Sequence, residues 1–414
     1  MAEVIIAGLP TSWEQSTLAE ICERGGGNIQ TGPFGSQLHA ADYVPIGVPS
    51  VMPQDIGDNV IREDFIARIT VEDSLRLSRY LLAAGDIVYS RRGDVERRAL
   101  VRPEQEGWLC GTGCLRIRPG NGVHSAYLSY YLGHPSVRQW IKQHAVGATM
   151  PNLNTNILGA VPVVTPPRRE QESIAAVLGA LDDKIAVNER VAATAREIGL
   201  TFYSQSLHDD DSVEVAVESV TSTLTRGVAP KYTDSSDELT VLNQKCIRNG
   251  RVNLEPSRLT LREKVKAPKL LQLNDVLVNS TGVGTLGRVA RWTLDLDATV
   301  DSHITIVRFN EDKVDPVCAG FAMLRAQPEI EAMGEGSTGQ TELRRAQVGA
   351  LELTLPGPAG QKELRPKLEA LEERADQALR ESLALADLRN TLLPQLTSGK
   401  LRVRDAEKIV EDAV

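Results

Sequence analysis

Two stretches of the chain set apolar residues at alternating steps of four and three. In the first, Ile174, Leu178, Leu181, Ile185, Asn188, Ala192, Ala195 and Phe202 keep that step; in the second, Leu364, Leu368, Leu371, Ala375 and Ala378 keep it, continued loosely by Leu385, Leu388 and Leu392. This is the narrow seam of a coiled coil. It predicts two helices of roughly 35 to 40 residues, each about 50 to 60 Å long. Thr165-Pro166-Pro167 is the expected start of the first, with a capping hydroxyl and proline where a missing amide costs nothing. Pro366 should fall in the first turn of the second helix, and Pro394 should mark its end. Neither seam is wide enough to be the core of a large domain, so each helix finds its natural partner in the other. Antiparallel pairing would set two globular units at opposite ends of a rigid rod. Packing of each helix back on its own domain stays open as the other reading.

The remaining sequence reads as short strands broken by turns. Over residues 13–165 the punctuation is Gly25 to Gly27, Gly32-Pro33, Gly35, Pro45, Pro49 and Pro53, with strands expected at Asp86 to Ser90 and Leu115 to Arg118. One helix, about Ser125 to His144, is expected among them, burying Tyr127, Tyr130, Tyr131, Leu132, Val137, Trp140 and Ile141. Residues 212–355 run similarly, with strands near Val276 to Val278 and Ile304 to Val307. The likeness holds residue by residue. Leu81, Leu82, Asp86, Ile87 and Val88 recur as Leu270, Leu271, Asp275, Val276 and Leu277; Arg98, Arg118, Gly147, Thr149, Pro166 and Gln171 match Arg288, Arg308, Gly336, Thr338, Pro356 and Gln361. A period of about 190 residues is far beyond the 20 to 50 of a solenoid, so a whole unit is duplicated and a pseudo-dyad is expected. The predicted class is α+β: two globular domains of mixed α/β structure separated by two long helices in an antiparallel coiled coil, a pseudo-twofold repeat. The segments are 1–165 and 209–355 for the domains and 166–208 and 356–414 for the helices, with the acidic run His208 to Ser212 as a boundary. Two domains suit a chain of 414 residues.

Composition narrows the function. The Met1 to Gly8 start has no basic region and no apolar run approaches the length of a membrane span, so a cytoplasmic protein with no membrane role is expected. Five scattered cysteines argue for reducing surroundings. Cys110 and Cys114 lack further ligands at metal spacing and read as small buried residues. The net charge of −9 argues superficially against nucleic acid. Local clusters exist all the same: Arg91, Arg92, Arg97, Arg98 and Arg102, then Arg258, Arg262, Lys264, Lys266 and Lys269. A basic stripe on an acidic body can still hold phosphates, because counterion release depends on the charges that touch DNA.

Catalytic chemistry is not visible. Gly282-Val283-Gly284-Thr285-Leu286-Gly287 matches the dinucleotide-binding glycine pattern, but the residues after it, Arg288 to Trp292, read as a strand where that fold needs a helix. The glycines are therefore expected to form a hairpin turn. The histidines at 39, 124, 134, 144, 208 and 303 form no helical pair and no triad context. No catalytic residue, metal site or cofactor is expected on this chain, which reads as a recognition or assembly component.

Val163-Val164-Thr165-Pro166-Pro167-Arg168-Arg169-Glu170-Gln171-Glu172-Ser173-Ile174-Ala175, with Leu178 to Ile185 and Asn188 beyond it, closely resembles the central conserved region of the specificity subunits of type I restriction-modification systems. Leu388 to Leu401 resembles that family's closing segment, and Thr31-Gly32-Pro33-Phe34-Gly35-Ser36-Gln37-Leu38 a sequence near the start of its recognition domains. The resemblance implies two target recognition domains, each reading half of a split site in double-stranded DNA, and two helices that act as a ruler and dock two methyltransferase subunits. Restriction subunits would join where present, and S-adenosylmethionine, ATP and Mg would be bound by those partners. One departure stands at the second helix start, Leu355 to Lys362, which keeps Gln361 but loses the acidic neighbour.

The resemblance supplies no residue-level DNA contacts, so candidates rest on side-chain chemistry and on position in turn-rich loops. In the first copy they are Ser36, Gln37, His39, Arg91, Arg92, Thr149, Asn152 and Asn154. In the second they are Arg226, Lys231, Tyr232, Asn243, Lys245, Asn279, Thr281, Gln340, Arg344 and Arg345. Two rival classes are kept: a coiled-coil adaptor with no DNA role, and a nucleotide-binding enzyme built on residues 282–287.

Overall fold

The computed structural model describes residues 6, 8–147, 149–208, 211–334 and 342–412. The chain divides into two compact units, Met1–Val187 with Glu381–Val414, and Asn188–Arg380. Each unit holds one globular body and half of each long helix.

In the first unit the main sheet has five strands in the order Asn28–Thr31, Cys114–Arg118, Ile87–Ser90, Arg98–Leu100 and Asp58–Asn59. Its pairings are antiparallel except the last, which is parallel. A second sheet places Tyr43–Val51 between Ala67–Ile69, antiparallel, and Leu109–Cys110, parallel. A ribbon of Glu14–Thr17 against Pro162–Thr165 closes the body by joining its two ends. The second unit repeats this plan. Thr221–Arg226, Ile304–Phe309, Val276–Asn279 and Val289–Arg291 form its antiparallel main sheet. Leu239–Leu242 lies between Arg258–Thr260, antiparallel, and Ala298–Val300, parallel, and Val213–Ala216 closes the body against Glu352–Leu355. Both bodies are therefore mixed α/β structures of one topology, as the duplicated sequence implies.

The duplicated residues explain why the plan persists. Asp86, 1% exposed, accepts from Arg118 Nε and Nη2 at 2.7 and 2.6 Å. Asp275, also 1% exposed, accepts from Arg308 Nε and Nη2 at 2.7 Å each. A buried carboxylate needs such a forked partner, because an unpaired charge in the interior is prohibitive. One expected match fails: the strand registers set Arg98 opposite Tyr89 but Val289 opposite Val278, so the partner of Arg98 is Val289 and not Arg288. Arg288 lies one residue before the Val289–Arg291 strand, its carbonyl accepting from Asn279 N–H at 2.9 Å, and its guanidinium donates to the Gly284 carbonyl at 2.8 Å. The single helix expected over Ser125 to His144 is two, Ser125–Tyr131 and Pro135–His144. Pro135 opens the second, a first-turn position that costs no hydrogen bond.

The long helices span Arg168–Ser206 and Pro358–Thr397. In the first unit Ile174, Leu178 and Leu181, with Ile185 half-buried, share a core with Leu385, Leu392, Leu393 and Leu396. In the second, Ala192 and Ala195 meet Ala375, flanked by Leu371 and Leu379, while Leu364 and Leu368 join Tyr203 in the core of the body. In both units the early part of one helix faces the late part of the other, so the pairing is antiparallel. Each helix also packs on its own body, so the two readings left open by the sequence both hold.

Three helix details differ from expectation. Phe202 is exposed and Tyr203 fully buried in its place. The seam runs Ala195, Gly199, Tyr203 because a straight helix drifts from a strict seven-residue repeat. Thr165 is the last residue of a strand, paired with Glu14, so it does not cap the first long helix, which begins at Arg168. Pro366 and Pro394 both lie inside the second long helix. Pro366 and Lys362, whose carbonyl loses its amide partner, are both exposed, so solvent can satisfy that carbonyl.

Candidate nucleic-acid interface

The main sheet of each body has one end from which the candidate loops leave. In the first unit this end is the finish of Asn28–Thr31 and of Ile87–Ser90 and the start of Cys114–Arg118. Gly32 N–H donates to the Cys114 carbonyl and Arg91 N–H to the Gly113 carbonyl, each at 2.9 Å. From here the loop carrying Ser36, Gln37 and His39 departs on one side and the Arg91–Arg97 hairpin tip on the other. A third segment is stitched to the hairpin: Arg92 bridges Asn152, and Leu153 N–H donates to the Arg91 carbonyl at 2.8 Å. That segment brings Asn152 and Asn154 beside Arg91 and Arg92, with Thr149 between the bridged Val146 and Asn152.

The second unit builds the same end. Gly227 N–H donates to the Ile304 carbonyl at 3.0 Å, Ser280 N–H to the His303 carbonyl at 2.8 Å, and Leu343 N–H to the Ser280 carbonyl at 2.9 Å. Thr281 bridges Glu342 as Arg92 bridges Asn152. Arg344 precedes the helix Arg345–Ala350 as Asn154 precedes Thr155–Gly159. Gly32 and Gly227 occupy equivalent corners, where an added Cβ would lie 2.1 Å from the carbonyl oxygen of Gly111 or Asp301. Neither corner can accept a side chain without moving the backbone.

Side chains at these ends divide by how far the fold has already engaged them. Ser36, His39, Arg92 and Thr149 are exposed in the first body, as are Lys231, Tyr232, Lys245, Arg344 and Arg345 in the second. Tyr232 carries the Arg258 guanidinium 3.6 Å from its ring centre, which adds Arg258 to the exposed cationic surface. Gln37 is half-buried, and its Oε1 accepts from the Tyr80 hydroxyl at 2.8 Å. Asn154 caps its helix by accepting from Ile157 N–H at 2.8 Å. Asn243 donates to the Pro256 carbonyl and accepts from Lys245 N–H at 2.9 Å. The Arg226 guanidinium holds the Leu343 carbonyl at 2.7 Å and Glu342 at 3.0 Å. Thr281 hydrogen-bonds His303 at 2.6 Å. Arg91 is half-buried, and its Nε has no hydrogen-bond partner among the described residues. Asn279 is fully buried, so it braces the loop and does not face solvent: its amide donates to the carbonyls of Gln244 and Thr285 at 2.9 and 3.0 Å. Gln340, like Gly336 and Thr338 of the repeat, lies outside the described residues.

Asn279 explains the glycine pattern. Val276–Asn279 and Val289–Arg291 pair antiparallel, so residues 282–287 are the turn of a hairpin, as the sequence leads one to expect. The Asn279 amide clamps that turn, and no helix follows to point its N-terminus at a pyrophosphate. Cys110 and Cys114 are likewise buried in strands, where desolvation pushes their thiols up. Among the described residues no cluster of potential metal ligands occurs, and no helix is long and apolar enough to cross a membrane.

The two bodies share one topology and present loops of differing polar chemistry from the same sheet end. Residues 10–195 match the type I restriction modification DNA specificity domain. It is 22% identical to a protein named as the MjaX type I restriction enzyme specificity subunit of Methanocaldococcus jannaschii, over 96% of each chain. It is 24% identical to that organism's MjaIX type I restriction enzyme specificity subunit, over 49% of this chain and 45% of the other. The fold is similar to that of the type I restriction-modification S subunit of M. genitalium, with a TM-score of 0.52 and 14% identity over 96% of this chain and 99% of that one.

Proposed function

We propose that this chain reads an asymmetric, two-part target on double-stranded DNA and positions two methyltransferase subunits there, with restriction subunits joining where the system cleaves. The observation that carries the reading is the recurrence of one loop-bearing sheet end in both bodies with different side chains on it: Arg92 and Asn152 in one, Thr281 and Glu342 in the other. Arg92, Lys231, Lys245, Arg344 and Arg345 supply phosphate contacts, and Ser36, His39, Thr149 and Asn152 supply polar groups for base edges. Two ends with different chemistry select two different half-sites. S-adenosylmethionine, ATP and Mg belong to the partner subunits, so methyl transfer and cleavage occur on chains that this one brings to the site.

The test is a methylation map of the source genome with and without this gene. One split motif, with unlike halves and a constant gap, should vanish on deletion. An unchanged map, or loss of a single uninterrupted palindrome, overturns the reading.

A further inference from the structure

A cluster of charges ties the first body to both long helices. Arg389, from the second long helix, donates to Asp182 Oδ1 at 2.6 Å and Asp58 Oδ2 at 2.8 Å. Asp182, from the first long helix and 6% exposed, also accepts from the Tyr130 hydroxyl at 2.6 Å. Asp58 accepts in turn from Arg98 Nη1 at 3.1 Å, and Arg98 Nε donates to the Ser129 carbonyl at 2.6 Å. The body's sheet, one of its helices and both long helices thus meet on one alternating chain of two arginines and two carboxylates.

Such a cluster is a poor source of stability, because desolvating the charges offsets most of their attraction. Its distinguishing property is geometric. Leucines in a seam tolerate small shifts, whereas a forked guanidinium holds carboxylates only at set angles and distances. The second body has a clasp of its own, Arg291 with Glu372 and Arg251 with Asp376. The strand registers align Arg291 with Leu100, so the two clasps are not copies of each other although the bodies are. A part that diverges while the scaffold repeats is a part that can set something different at each end.

We infer that Arg389 and Asp182 form a specificity-determining joint, fixing the angle at which the first body stands on its helix pair and hence the gap length the target must have. The inference rests on the split-target reading above. The experiment uses the full chain assembled with its methyltransferase partners. Methylation rates are measured on duplexes carrying the natural target and on versions with the gap one base pair shorter or longer. Arg389→Met is the first variant; Asp182→Asn with Arg389→Gln is the second, leaving no unpaired charge in the cluster should the first fail to fold. Discrimination between the natural and altered gaps should fall about tenfold, the size expected when one coupling within a network is lost. Preference among half-site sequences should not change. Natural gap discrimination in a double variant that melts like the parent overturns the joint, as does an equal loss of half-site preference, which would mean general loosening. If the parent complex itself ignores the gap, the split-target reading falls and the joint with it.

Discussion

At the residue scale the clearest consequence of burial is at His134. It is 7% exposed and its Nδ1 accepts from Ser136 N–H at 3.1 Å, at the start of the Pro135–His144 helix. Burial, with the Lys400 charge adding to it, pushes its pKa down to about 4. A depressed folded-state pKa means that the stability is present above the unfolded value, about 6.5, and is lost as pH falls toward 4. A shift of that size is worth about 3 kcal/mol. Melting temperature should therefore drop between pH 6.5 and 4, and His134→Asn, which keeps a capping acceptor without a titrating ring, should drop less; identical pH profiles would remove His134 from the account. Nothing in the sequence set His134 apart from the other five histidines, because burial is a tertiary property. Asp86, Arg118, Asp275 and Arg308 were legible as members of the repeat, with aspartate and arginine 32 residues apart in one copy and 33 in the other, but that each aspartate pairs with its arginine needed the structure.

Elements show the same contrast between duplicated and unique features. Gln171 and Gln361 each fold back at the start of a long helix, donating to the carbonyls of Pro166 and Pro356 at 2.7 Å. Each also accepts a backbone N–H from the body, His124 or Asp315, at 2.8 Å. These side chains weld helix to body, so Gln171→Ala should cost about 1 to 3 kcal/mol by orphaning two backbone groups. Gln361→Ala should cost a similar amount, and denaturant melts compare the two directly. The repeat pointed to this pair; its role needed the structure. The seam was legible as far as Ala195 and then went astray by one residue. Tyr203, fully buried with its hydroxyl on the Thr354 carbonyl at 2.7 Å, should cost about 3 to 5 kcal/mol when cut to alanine. Phe202→Ala should stay within about 1 kcal/mol. Equal losses at the two positions would restore the strict heptad and refute the drift.

On the scale of the whole molecule, the duplication and the pair of helices were readable because both depend on periodicity, which a single sequence displays. The clasp was not, because Asp182 and Arg389 lie 207 residues apart and no spacing rule joins them. That cluster also decides how the ruler should be tested. Deleting Ala176 to Asp182 would remove Leu178, Leu181 and Asp182 together, taking core and clasp with it. Inserting a heptad after Val187 and a matched heptad after Arg380 leaves every contact inside each unit in place, since the chain divides at those positions. Each helix gains about 10 Å at 1.5 Å per residue, and about 20° of rotation. At 3.4 Å per base pair the preferred gap should lengthen by about three base pairs with both half-site sequences unchanged. An assembled, active complex that still chose the original gap would show that the helices join the bodies without measuring the distance between them.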